Sequence, residues 1–210
     1  VDIAHLEPKD AAKFDLTDFT QTTSGSAVQL GVFFAGNLWE DVYAGGDLIG
    51  QPLPTKATFV HDLAWIGKPG TSHGADDLEQ AKTVRLALAL AIDRDLVNDT
   101  LLAGLGAPVY VTYFNAASPN WDSKYEYAYD PDESIRLINS LDADYQAGGA
   151  GKDGPLGSNA FEISVYAGPE LGGGASITGE IADAVAGFWQ DIGLATFSLK
   201  FSYTTFRPTV

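Results

Sequence analysis

The chain has 210 residues, 45% of them hydrophobic and 19% charged, a balance that suits one folded domain or large lobe with a core of its own. Asp and Glu outnumber Lys and Arg 28 to 12, for a formal charge of -16, which excludes a Lys/Arg surface built to displace counterions from nucleic acid and disfavours an anionic membrane. With no cysteine there is no disulfide framework, no thiol nucleophile and no thiolate metal site.

The chain opens on Val1 with no signal-peptide pattern, so it reads as a processed or excised segment. Leu6 to Phe14 is predicted as a short helix, with Pro8 in its first turn. Val28 to Phe34 is apolar and aromatic and predicts a strand. Ala35 to Ala75 is a long connection dense in Gly and Pro, of a length that in compact domains belongs to functional loops.

From Asp77 the pattern turns helical. Ala81, Val84, Leu88 and Ile92 share one face, while Leu86 and Leu90 add a second, predicting a helix buried nearly all round. Its apolar run from Leu86 to Ile92 is far short of the about 20 residues that cross a bilayer. Asp93 reads as the N-cap of a further helix with Leu96, Val97 and Leu101 inward, stopped by Gly104. Asp130, Pro131 and Glu133 announce another helix start, with Ile135, Ile138 and Leu141 on its apolar face.

The last third is the clearest. Phe161, Ile163 and Val165 alternate with polar residues as in a strand. Ile177, Ile181, Ala184, Val185, Phe188, Trp189 and Ile192 then mark one face of a helix ending at Gly193. Ala195, Phe197, Leu199 and Phe201 alternate again. Strand, helix and strand with one crossover make a parallel βαβ unit, so the fold class is α/β.

Three stretches together resemble a known family. They are Val84-Arg85-Leu86-Ala87-Leu88-Ala89-Leu90-Ala91-Ile92-Asp93-Arg94, Gly104-Leu105-Gly106-Ala107-Pro108, and Pro119-Asn120-Trp121. This order of a buried helix, an "AIDR" cap, a "GLG-small-Pro" turn and a Pro-x-Trp motif resembles extracellular solute-binding protein family 5, which serves oligopeptide, dipeptide and nickel ABC importers. Tyr129-Asp130-Pro131 resembles the family's "YDP" helix start, and Asp191-Ile192-Gly193 its "iGi" helix end.

The resemblance implies one α/β lobe, residues 1–210, of a two-lobed periplasmic-binding-protein-like fold of type II. A mixed sheet would end in the parallel βαβ unit, and the companion lobe would lie outside this chain. It implies capture of oligopeptides or similar small solutes outside the cytoplasmic membrane by closure of two lobes, with an ABC permease as partner. A periplasmic or cell-surface lipoprotein setting follows, with no cofactor. Peptide, sugar oligomer, opine and metal chelate stay open as solutes.

The candidate ligand-binding residues are Asn37, Trp39, Trp65, Tyr113 and Trp121. The aromatics stand in loops, where flat, stiff side chains cover solute area at small rotamer cost; the competing role is to pin loops to the lobe. Asn37 offers an amide donor and acceptor to a peptide backbone, or else stabilises a turn. Arg85 and the Asp93-Arg94 pair fit capping and pairing within the lobe. His5, His61 and His73 lack metal-ligand spacing, and the acidic run Asp142, Asp144, Asp153 departs from a calcium loop at its glycine and glutamate positions. No nucleophile elbow or phosphate loop is present, so no catalytic residue is assigned. The alternative is a secreted carbohydrate-binding or adhesion module without catalysis.

Overall fold

In a computed structural model of the chain, the structure describes residues 10, 13–14, 17–22, 30–34, 42, 46–52, 65, 77–110, 118–141, 161–166, 175–194 and 196–201. The chain divides into two compact units. One comprises Val1–Gly31, Ala89–Pro131 and Phe161–Val210, the other Val32–Leu88 and Asp132–Ala160.

The second unit is built on α1 (Asp77–Leu90), whose Ala- and Leu-rich sequence favours the helix. Ala81, Val84, Ala87 and Leu88 recur at three- and four-residue spacing and are fully buried. The helix is not buried all round: Leu78 and Leu86 are exposed. One neighbour is α3 (Pro131–Asn139), which begins at the expected proline. Ser134 is its buried side chain, and the Ser134 hydroxyl donates to the Ala87 carbonyl at 2.7 Å. Leu141, just beyond, is buried as expected, whereas Ile135 is exposed. Glu133 accepts from Arg136 at 2.5 and 2.6 Å, which holds its carboxyl below the usual range.

The first unit holds the C-terminal βαβ. Strand β1 (Phe161–Tyr166) pairs in parallel with β2 (Thr196–Phe201), in register Phe161 to Thr196 through Tyr166 to Phe201, and α4 (Ala175–Asp191) makes the crossover. Ile177, Ala182, Val185, Ala186, Trp189, Ile192 and Leu194 form its buried apolar core. Fully burying one large apolar side chain contributes about 1.5–3 kcal/mol, so this face is a large favourable contribution to the βαβ. Polar bonds align the pieces: Thr196 Oγ1 donates to the Ala186 carbonyl at 2.6 Å, and Gln190 Nε2 to the Thr196 carbonyl at 2.7 Å. At the exposed edge Lys200 reaches Asp183 at 2.6 Å and the Ser198 hydroxyl also donates to Asp183. Gly193, at φ 91°, ends the helix where a side chain would be strained.

The short α2 (Arg94–Leu101) starts as expected, with the Asp93 carboxylate accepting from the Leu96 amide at 2.9 Å. Its apolar residues are only partly covered, however: Val97 and Leu101 are half-buried. Leu96 is 48% exposed, and no α2 side chain is buried. The turn beyond is organised by Asn98, whose carbonyl accepts from Gly104 at 3.0 Å and whose side-chain oxygen accepts from Gly106 at 2.8 Å. A Cβ at Gly106 would come within 2.8 Å of that oxygen, so the glycine is required for the close approach.

Two further expectations change or fall outside. Residues 30–34 are not a strand, and Phe33 is 72% exposed. Apolar and aromatic propensity makes a strand only where a partner supplies the ladder, and none pairs with this segment among the described residues. The helix expected at Leu6 to Phe14 lies mostly outside the described residues. Among the described residues the sheet has two parallel strands, so the mixed sheet is not seen there.

Candidate ligand-binding site

Asn37, Trp39 and Tyr113 lie outside the described residues. Trp65 and Trp121 are described, and they belong to different units.

Trp121 follows a tight turn in which its amide donates to the Ser118 carbonyl at 3.0 Å, with Pro119 at the position whose φ it presets. Asp122 then caps a single 3₁₀ turn (Ser123–Tyr125), accepting from the Lys124 amide at 3.0 Å. That turn brings Glu126 back to the indole, where Trp121 Nε1 donates to Glu126 Oε1 at 3.0 Å. The Trp121 and Tyr125 rings lie 6.0 Å apart and tilted by 57°, both half-buried. Each ring therefore has one part packed and another facing solvent, the disposition of a side chain that can cover a solute.

Charges surround this pair. Lys124 Nζ sits 4.9 Å above the Tyr125 ring and 2.9 Å from Asp122 Oδ2. The backbone and side-chain hydrogen bonds of Lys124 hold the Asp122 carboxyl below the usual range, and Asp122 raises the lysine. Adjacent in sequence, Tyr127 meets Tyr110 edge-on at 6.3 Å, and the Arg94 guanidinium lies 5.2 Å over Tyr110. Arg94 donates to the carbonyls of Ala89 at 3.1 Å and Ile92 at 3.3 Å, capping the C-terminal end of α1. Its burial lowers its pKa, offset in part by the two tyrosines. The internal role expected for Arg94 is thus the one it has.

Trp65 is half-buried, its ring 6.1 Å from Phe34, and Arg85 on α1 donates to its backbone carbonyl. Arg85 therefore ties this loop residue to the helix. Tyr110, Tyr125, Glu126 and Tyr127 were missed by residue-by-residue reading. The signal that finds them is the aromatic density of 110–129, where alternate positions 125, 127 and 129 are all tyrosine. Stacking faces, an indole-bound carboxylate and ion-paired charges can hold an amphipathic solute. Among the described residues no three His, Cys, Asp or Glu side chains are grouped to hold a metal ion. Nor is any described helix long and apolar enough to cross a membrane.

Residues 72–206 match the family model described as bacterial extracellular solute-binding proteins, family 5, middle region. Among solved structures, the chain is similar to the oligopeptide-binding protein AppA of Bacillus subtilis in complex with a nonapeptide. Identity is 20% over 60% of this chain and 24% of that one, with a TM-score of 0.41. The chain thus spans about a quarter of that relative's length. No curated protein matches.

Proposed function

The chain belongs to the bacterial extracellular solute-binding proteins of family 5, and on that premise we propose that it is one lobe of the solute-capturing component of an ABC importer. The observation that carries this reading is the extent of the family match, which runs from before α1 to beyond β2. It therefore includes the buried helix, the Asp93 cap, the Pro119-Asn120-Trp121 turn and the whole βαβ unit. The role is binding rather than bond-making, outside the cytoplasmic membrane, with a companion lobe and a membrane permease as partners.

Oligopeptides or similar small solutes are the ligand class. Trp121 and Tyr125 supply flat faces beside Glu126, while Asn37, Trp39, Trp65 and Tyr113 complete the proposed set. Support for Trp121 is its geometry, since the bond to Glu126 fixes the indole in advance of a ligand and lowers the entropy lost on binding. Closure of two lobes would bury the solute on both sides.

Intrinsic fluorescence of the complete two-lobed protein, titrated with peptides, oligosaccharides and nickel chelates, tests the reading. One solute class is expected to give a saturable micromolar response, weakened roughly tenfold by Trp121→Phe or Trp65→Phe. Silence across the panel from folded protein would overturn the solute assignment. Micromolar binding corresponds to about 8 kcal/mol, and a single lobe supplying half of it reaches only the millimolar range. A micromolar complex with residues 1–210 alone would therefore overturn the two-lobe reading.

A further inference from the structure

Two glycines in α4 differ in what accounts for them. A Cβ on Gly179 would lie 3.0 Å from Lys200 Cε, so this glycine makes room for the lysine that crosses to Asp183. A Cβ on Gly187 would meet nothing within 4 Å. Glycine inside a helix destabilises it relative to alanine, and no neighbour among the described residues accounts for residue 187.

Gly187 lines an open groove of about 290 Å³ between α2 and α4, both in the first unit. From α4 come Ala184, Gly187, Phe188 and Asp191; from α2 come Leu96 and Val97, the former 48% exposed. The small residues leave the groove open, and its lining is mostly apolar. Apart from Arg94, the charged residues of the two helices are acidic. Glu180, Ala184, Gly187 and Asp191 recur at four, three and four residues and so form one stripe, acidic at both ends. Helix α4 has no Lys or Arg, and α2 adds Asp95 and Asp99. The one cation of α2, Arg94, is turned to the carbonyls of Ala89 and Ile92.

We propose that the groove between α2 and α4 docks a basic amphipathic segment of another polypeptide. Its apolar side chains would seat over Gly187 against Leu96 and Phe188, and its Lys or Arg residues would meet Asp191 and the acids flanking it. Charge selects this occupant. A second copy of the chain would bring -16 against an acidic rim, and an anionic membrane would be repelled likewise. The proposal does not rest on the solute-binding reading: neither Trp65 nor Trp121, the described candidate ligand residues, is among the described residues that line the groove.

The test uses the full chain and three synthetic peptides: a Leu/Lys peptide with leucine at helical spacing, a scrambled peptide of the same composition, and a Leu/Glu counterpart. Binding is measured by calorimetry, and its location by amide shifts at Leu96, Gly187 and Phe188. The patterned Leu/Lys peptide is expected to bind and to shift those amides. Gly187→Leu, whose Cβ has open space and whose side chain would occupy the groove, should weaken it roughly tenfold. Asp191→Lys should weaken it severalfold, and circular dichroism checks that both variants fold. Equal binding of the scrambled peptide, or indifference to both substitutions, would reduce the effect to bulk charge attraction and overturn the proposal. Self-association abolished by Gly187→Leu would give the groove to a second copy and overturn it equally.

Discussion

The βαβ unit and the α1–α3 helix pair solve the same problem in different ways. In the βαβ, α4 meets the sheet through a broad apolar face that includes Val185, Ala186, Trp189 and Ile192, with polar bonds at its margin. In the helix pair, the buried side chain of α3 is a serine, and its hydroxyl is aimed at the carbonyl of Ala87 on α1. Small side chains at both positions let the helices approach closely enough for that bond. One contact is held by area, which has no direction, and the other by a directed bond in a place water does not reach. Burial by area should fail in proportion to the volume removed, whereas a directed bond should fail with a single oxygen.

The largest effect is therefore expected in the βαβ. Trp189 is 3% exposed, and Trp189→Ala should lower stability by about 3–5 kcal/mol, read as a shift of the urea midpoint. Trp189→Phe, which keeps most of the volume, should cost a fraction of that. If the two substitutions cost the same, area is not what holds α4 to the sheet.

Ser134→Ala removes one oxygen and almost no volume. It should cost about 1–2 kcal/mol by leaving the Ala87 carbonyl without the hydroxyl's hydrogen bond in a buried site, partly offset by alanine's helix propensity. Ser134→Val should cost more, because the added methyl must fit where the serine is 0% exposed. An unchanged urea midpoint for Ser134→Ala would erase the contrast between the two regions.

The same contrast explains what could be read from sequence. The βαβ was legible because burial by area leaves a period: Phe161, Ile163 and Val165 alternate, and Ile177 through Ile192 fall on one helical face. Caps were legible too, since Asp93 must supply an acceptor to an amide with no helical partner. Ser134 leaves no such trace, because a serine on an apolar helix looks like a solvent position until the facing carbonyl is known. Leu86 and Leu96 were read as buried for the converse reason, as hydrophobicity does not say how many faces meet a partner. The segment 30–34 has strand composition, yet the ladder it requires must come from residues distant in sequence. At the candidate site Trp121 was legible from its motif. The Glu126 bond to its indole was not, because it depends on the single 3₁₀ turn between them.

The smallest effect is expected at the βαβ margin, where charge rather than area is at stake. Hydrogen bonds from Lys200 and Ser198 hold the Asp183 carboxyl below the usual carboxylate range. The native state therefore takes up this proton less readily than the unfolded chain, whose aspartates titrate at about 3.9. The contribution is complete above that pH and is lost as pH falls through the lower native value. Both partners are about half exposed, at 53% for Asp183 and 47% for Lys200, so solvent screening limits the pair to below about 1 kcal/mol. Asp183→Asn should thus lower stability slightly at pH 7 and remove part of its decline between about pH 5 and pH 3, measured by urea unfolding across that range. Added salt should shrink the difference between the two proteins, as it does for exposed ion pairs. A loss at pH 7 as large as that of Ser134→Ala would mean that the margin of the βαβ, and not its apolar face alone, sets how α4 sits on β2.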